Sequence, residues 1–159
     1  MITMEPIGII HSPFVKPEGM PIQPTGALGV EGTVEVAEKF QEGLKDLDGF
    51  SHLILLYHFH LSKGFDLQVI PFMDTCLRGV FATRAPKRPN PIGLSIVRLN
   101  RIEDGILHIE NVDIIDGTPL LDIKPYVKRF DYQPDVRSGW LERSGRIVSE
   151  KKSDLRFQD

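Results

Sequence analysis

Short runs of β-branched and aliphatic residues, each closed off by Gly, Pro, Asp or Asn, recur along the chain. They are IGII (7–10), GTVEV (32–36), HLILLYHF (52–59), FDLQVI (65–70), RGVFAT (78–83), LSIVRLNRI (94–102) and ILHIENVDI (106–114). Runs of this length and composition predict strands. Between the last two, Glu103-Asp104-Gly105 predicts a hairpin, because Asp-Gly supplies the positive φ that a tight turn requires. Only AEKFQEGLKDL (37–47) follows another period: Phe40, Leu44 and Leu47 make one apolar stripe at helical spacing. Many short strands, one or two short helices and frequent turn residues predict a mainly β fold, a single β-barrel of about seven or more strands.

Composition narrows this picture without changing it. A chain of 159 residues with 41% hydrophobic and 26% charged residues has room for one sizeable core. No run approaches the roughly 18 apolar residues of a membrane span. The opening MITMEPIGIIHSPF has no basic leader, so a cytoplasmic protein with no membrane association is expected. Cys76 is the single cysteine, which rules out an internal disulfide and reads as structural. Residues 11–31, with Pro13, Pro17, Pro21 and Pro24, form a loop too long to be a casual connection. After Tyr126 the chain is charged and nearly patternless. We therefore expect a barrel domain over 1–130 and a charged C-terminal extension over 131–159, partly ordered.

The net charge of −3 argues against a nucleic-acid partner until its distribution is considered. Residues 1–74 carry four Lys/Arg against ten Asp/Glu, 75–102 carry six Lys/Arg and no acid, and 124–156 carry nine Lys/Arg against five acids. The two basic segments can assemble a phosphate-binding surface, or can simply form a salt-bridged solvated face.

The densest stretch is FATRAPKRPNPIGLSIVRL (81–99). Pro86, Pro89 and Pro91 hold APKRPNPIG stiff and extended, so it can present side chains and unpaired carbonyls to a ligand at little entropic cost; a plain crossover between strands is the alternative. A second dense stretch, NVDIIDGTPLLDIKPY (111–126), sets Asp113, Asp116 and Asp122 about a Gly-Pro turn. Three carboxylates there suit ribose hydroxyls, a cation or simple turn capping. His52, His58 and His60 share strand parity, which allows a two-histidine metal pair but equally a polar face or ligand contacts; no metal is expected. There is no GxSxG elbow, no GxGxxG and no P-loop, so Ser-nucleophile hydrolysis, a Rossmann dinucleotide site and P-loop phosphate binding are not indicated.

GVFATRAPKRPNPIGLSIVRL followed by DIIDGTPLLDIKPY resembles the TsaA-like, or TrmO, family of tRNA N6-methyltransferases, and IGIIHSPF, IQPTG and GFSHLILLYHFH extend the likeness from about Ile7 to Tyr126. The resemblance implies a β-barrel enzyme, usually a homodimer, that uses S-adenosylmethionine to methylate threonylcarbamoyl-modified adenosine beside the anticodon. Its cofactor contacts fall on Gln23, Pro24 and Thr25 in the long loop, His60 and Leu61 after the histidine strand, Arg84 and Leu94 about the proline stretch, and Asp113, Ile114, Ile115 and Asp116. Bacterial members often carry a further C-terminal domain, where this chain has charged residues. On this reading the proline stretch is an active-site wall. Arg84 is at its base on a strand end, Lys87 and Arg88 face tRNA phosphates from an exposed loop, and Asn90 is the catalytic candidate, accepting from the N6 hydrogens with help from the carbonyls about Pro89 and Pro91. The rival readings are a noncatalytic RNA-binding barrel and a methyltransferase or sensor for a small molecule.

Overall fold

The computed structural model describes residues 1–22 and 26–143; Gln23, Pro24 and Thr25 and everything after Arg143 lie outside the described residues. Eight strands are present: β1 (Gly8–His11), β2 (Glu31–Val36), β3 (His52–His58), β4 (Gln68–Val69), β5 (Arg78–Gly79), β6 (Ile92–Glu103), β7 (Ile106–Glu110) and β8 (Thr118–Pro125). Six of them close a barrel in the order β1-β2-β7-β6-β3-β8, every neighbouring pair antiparallel. The period-two alternation sets which side chains enter it. On β3, Leu53, Leu55 and Tyr57 are buried; on β6, Gly93, Ser95, Val97 and Leu99 are buried while Ile92, Leu94 and Ile96 face outward. With Ile10, Val34, Leu107, Ile109 and Leu120 they fill the interior. Each fully buried aliphatic side chain contributes about 1.5–3 kcal/mol, which makes this interior the main source of stability.

The barrel therefore closes with six staves, fewer than the seven or more expected. The segments 65–70 and 78–83 shrink to the two-residue strands β4 and β5, which pair in a separate ribbon; β5 runs straight into a 3-10 turn over Val80–Ala82. Val69, Val80 and Ala85, with Phe72 against them, give this ribbon a small core of its own. The predicted strand over 106–114 stops at Glu110 because Asn111 takes a left-handed conformation (φ 68°). Its amide oxygen accepts the Gly29 N–H at 3.0 Å. The Asp104-Gly105 hairpin forms with positive φ at both residues, 50° and 76°. In place of one helix over 37–47 there are two 3-10 turns, Glu38–Leu44 and Leu47–Gly49, broken by Asp46 at φ 68°. The stripe still works, since Phe40, Leu44 and Leu47 all pack on the core.

The strand β8 is hidden in the sequence by its prolines. Pro119 lies opposite Ile9, and the bonds on either side are made without it: Gly117 N–H donates to the Ile10 carbonyl and Ile7 N–H to the Leu120 carbonyl, both at 2.8 Å. Past the barrel, α1 (Lys128–Asp131) and a 3-10 turn over Gly139–Arg143 follow. Trp140 fastens that turn to the ribbon, its Nε1–H donating to the Ala82 carbonyl at 2.8 Å and its ring lying under the Arg78 guanidinium, which pairs with Asp74. Cys76 is exposed on the ribbon, so its thiol has no packing role. Among the described residues no helix is long and apolar enough to cross a membrane.

Candidate functional site

Inside one end of the barrel the apolar interior gives way to a buried polar line. The Tyr57 hydroxyl lies 2.8 Å from Ser95 Oγ, which donates to Asp113 Oδ1 at 2.6 Å. Tyr57 reaches this position because Gly93 opposes it on β6: a Cβ at residue 93 would stand 2.2 Å from the tyrosine ring. Phe59 braces the other side of that ring edge-on, with centroids 5.5 Å apart. Burial pushes the Asp113 carboxyl up to about 6, against the lowering effects of the Ser95 hydrogen bond and, more weakly, the Arg84 charge. Burial, and then the Asp113 charge, push the Tyr57 phenol far above its ordinary range, so it stays a neutral donor.

Next to this line, β1 and the segment before β8 are laced together. Ser12 Oγ donates to the Ile114 carbonyl, Ser12 N–H donates to Asp116 Oδ1 at 3.1 Å, and Asp116 N–H donates to the Phe14 carbonyl at 2.7 Å. His11 stands between two carboxylates, Nδ1 at 3.3 Å from Asp116 and Nε2 at 3.2 Å from Glu35. The Ile115 carbonyl accepts from Thr118 Oγ1 at 2.7 Å. Asp116 is thus an anchored but exposed carboxylate, and Asp113 a buried one.

The proline stretch stands against the segment that follows β3. Phe59 N–H donates to the Pro91 carbonyl (2.8 Å), Ser62 Oγ to the Pro86 carbonyl (3.1 Å) and Asp66 N–H to the Lys87 carbonyl (3.5 Å). The expectation of open carbonyls is corrected in part: Pro91 is occupied, whereas the Pro89 carbonyl and the side-chain amide of the exposed Asn90 make no hydrogen bond among the described residues. The basic side chains also exchange places relative to expectation. Arg84 follows the 3-10 turn instead of ending a strand, and is exposed, while Lys87 and Arg88 are half-buried. Arg88 Nη1 donates to the Thr83 (3.0 Å) and Ala85 (3.1 Å) carbonyls, bracing the wall from within.

Arg84 and Asp113 come within electrostatic reach of each other, and Ile114, Ile115 and Asp116 continue from Asp113. His60 lies just past β3; among the described residues its Nδ1 is a buried polar atom without a hydrogen-bond partner, and burial lowers the imidazole below its ordinary pKa, leaving it neutral. Leu61 beside it is exposed. Leu94 points out of the barrel, on the face opposite Ser95, so within one chain it does not share a side of β6 with Asp113. Asp122 does not join the other carboxylates: it sits on β8 paired with Lys124 at 2.9 Å. The three histidines do not converge, and among the described residues no three His, Cys, Asp or Glu side chains gather where they could hold a metal ion.

Residues 9–132 match the tRNA-methyltransferase O N-terminal domain family. The chain belongs to that family. It is 57% identical over 157 residues to a probable S-adenosyl-L-methionine-binding protein of Pyrococcus abyssi, covering 99% of this chain and 85% of that one. It is 33% identical over 139 residues to the human tRNA (adenine(37)-N6)-methyltransferase, covering 83% of this chain but 32% of the human protein. The crystal structure of TrmO from Pseudomonas aeruginosa superposes with a TM-score of 0.74 at 41% identity, over 88% of this chain and 62% of that one. The chain thus spans less than two thirds of that solved structure and about a third of the human relative.

Motif reading of the family's sites does not reach Tyr57, Ser95, Ser12 or His11. Strand parity does reach the first two: on runs whose alternate residues are Leu and Val, Tyr57 and Ser95 are the polar side chains at inward positions. Ser12 and His11 act through the return of β1 toward β8, a contact 102 to 105 residues apart in sequence that no local pattern announces.

Proposed function

We propose that this chain transfers the methyl group of S-adenosylmethionine to N6 of adenosine beside the anticodon of tRNA, with the threonylcarbamoyl-modified base as its substrate. One observation carries the reading most: Asp113, buried and held by Ser95 and Tyr57, lies within reach of the Arg84 charge from the stiff proline stretch. The residues present suit the cofactor. Its ammonium and ribose hydroxyls are donors that a buried carboxylate can accept, its carboxylate suits a guanidinium, and His60, whose Nδ1 has no hydrogen-bond partner among the described residues, offers one more polar group. Gln23, Pro24, Thr25, Leu61, Ile114, Ile115 and Asp116 complete the proposed cofactor site.

Bound S-adenosylmethionine supplies an electrophilic methyl on sulfur. The protein's own task is placement, since an in-line arrangement of amine, methyl and sulfur can supply several kcal/mol of the barrier. Adenine N6 is a weak nucleophile because its lone pair is delocalised. Acceptors for its hydrogens favour the pyramidal amine of the transition state. The Asn90 side chain and the Pro89 carbonyl are the groups open for that role, and Lys87 and Arg88 supply positive charge for tRNA phosphates. The barrel over 1–130 is the proposed methyltransferase domain and 131–159 a charged extension, with six Lys/Arg and six Asp/Glu.

The protein is proposed to be a cytoplasmic homodimer. The outer face of β6 presents Ile92, Leu94 and Ile96, 38, 41 and 36% exposed, and Ile54 and Leu56 of β3 lie opposite Ile96 and Leu94. A second copy seated on this apolar face covers it and brings Leu94 to a site built by its partner. Two measurements test the reading: calorimetric titration of S-adenosylmethionine in EDTA, and methyl transfer to bulk tRNA followed by nucleoside analysis. Metal-independent binding and a methyl group on N6 are expected. Cofactor binding without transfer to tRNA would instead favour a small-molecule substrate or a sensor.

A further inference from the structure

We propose that Tyr57 and Ser95 are positioning residues for methyl transfer: they form a one-way hydrogen-bond donor chain that fixes the Asp113 carboxylate so that it can accept from a donor group of the cofactor. The proposal rests on the functional reading above.

The direction of the chain follows from counting hydrogens. An ionised carboxylate only accepts, so the single Ser95 hydroxyl hydrogen, 2.6 Å from Asp113 Oδ1, belongs to that bond. Ser95 Oγ then has only lone pairs to offer the Tyr57 hydroxyl at 2.8 Å, and Tyr57 must be the donor. Each hydroxyl hydrogen is used once, and the chain ends on Oδ1 of the Asp113 carboxylate.

Its components cannot drift. The tyrosine ring lies in a slot that exists because residue 93 has no side chain, and Phe59 closes the slot edge-on. Asp113 follows Val112, which is fully buried and whose N–H donates to the Val30 carbonyl at 3.2 Å. Around this line the interior is otherwise mostly aliphatic, with Leu53, Leu55, Val97 and Leu120 all fully buried, and the other buried polar side chain among the described residues, Thr118, bonds the Ile115 carbonyl instead. The ionisable groups bearing on Asp113 are Tyr57 from β3 and Arg84 from the proline wall; β6 contributes the neutral Ser95. His11 at the end of β1, with Asp116 and Glu35 on either side of its ring, forms the adjoining polar set.

A hydrogen bond donated to the charged form lowers a carboxyl pKa, so removing the donors must raise it. The experiment follows the Asp113 side-chain carboxyl carbon by NMR in the ligand-free protein from pH 4 to 8. It pairs this with calorimetry of S-adenosylmethionine over the same range, for the wild type, Ser95→Ala, Tyr57→Phe and Asp113→Asn. The wild-type carboxyl should titrate near pH 6. Ser95→Ala should move the midpoint toward neutrality and Tyr57→Phe should move it less. Cofactor affinity near pH 6.5 should fall several-fold in the same order, its pH midpoint tracking the NMR midpoint, while Asp113→Asn binds weakly and without pH dependence over the window. Unchanged midpoints in both variants would overturn the proposal, as would shifted midpoints with cofactor affinity unaltered at every pH. If Ser95→Ala does not fold, Tyr57→Phe, which keeps the ring in its slot, decides alone. A wild type that binds no S-adenosylmethionine at any pH overturns the functional reading and this proposal together; a wild type that binds, with variants that bind identically, overturns this proposal only.

Discussion

Replacing Asp113 by asparagine should make the protein more stable at neutral pH while weakening its site. In the folded chain burial raises the Asp113 carboxyl from 3.8 to about 6. Between those values the folded state holds a proton that the unfolded chain has released, so the stability present below about pH 4 falls as pH rises and levels off once pH passes the folded pKa. A shift of about two units at ~1.4 kcal/mol per unit puts the total near 3 kcal/mol. The asparagine side chain has the same shape, carries no charge and can still accept from Ser95 through its amide oxygen, and the charge-assisted part of the wild-type bond is already contained in the net shift. The net expectation is a gain of about 3 kcal/mol well above pH 6, or roughly 6–12 °C in Tm for a chain of this size. Below about pH 4 the wild-type carboxyl is neutral as well, and the gain should vanish. Thermal unfolding of both proteins from pH 4 to 8 gives the comparison directly. An Asp113→Asn protein that is less stable than the wild type at pH 7.5, or a gap that does not vary with pH, would refute the reasoning, because the penalty would then not come from a buried charge.

Arg84→Ala should weaken S-adenosylmethionine binding by about 1–3 kcal/mol in calorimetry through loss of a charge-assisted hydrogen bond, whereas Asn90→Ala should lower turnover and leave that affinity near normal. Lys87→Ala should reduce the slope of log tRNA affinity against log salt by about one, measured by filter binding from low to moderate salt. Arg88→Ala, by contrast, removes the brace on the Thr83 and Ala85 carbonyls and should also lower Tm. Ile96→Asp, placed on the outer face of β6, should shift sedimentation from dimer to monomer without unfolding the barrel, and an unchanged sedimentation coefficient would move the proposed dimer contact elsewhere.

Five of the six barrel strands are visible in the sequence, because each is a short run rich in aliphatic and β-branched residues bounded by residues that turn the chain. β8 is not visible: Pro119 and Pro125 read as breakers, and only its neighbours show that Pro119 needs no N–H. The short strands of the ribbon are overread for the opposite reason. FDLQVI and RGVFAT have strand composition, but their apolar residues pack on a small local core, and Phe65, Leu67, Ile70 and Phe81 remain exposed. At the site, the proline wall and the Asp113 to Asp116 turn are legible as local motifs. The inversion of Arg84 and Arg88 is not, because the exposure of each depends on which carbonyls the folded wall presents. The Tyr57–Ser95 line is within reach of parity alone, once inward polar positions are treated as information.

The fit between Gly93 and the ring of Tyr57 also constrains how this lineage can diverge. A single substitution at 93 introduces a Cβ where the ring already stands, 2.2 Å away. A single loss of the ring opens a void in a packed interior, a change that costs about 3–5 kcal/mol for a buried aromatic. Either first step is destabilising, so the two positions are expected to change together. Descendants should keep both or exchange both, and a homologue bearing a side chain at 93 should be searched for a small residue at 57.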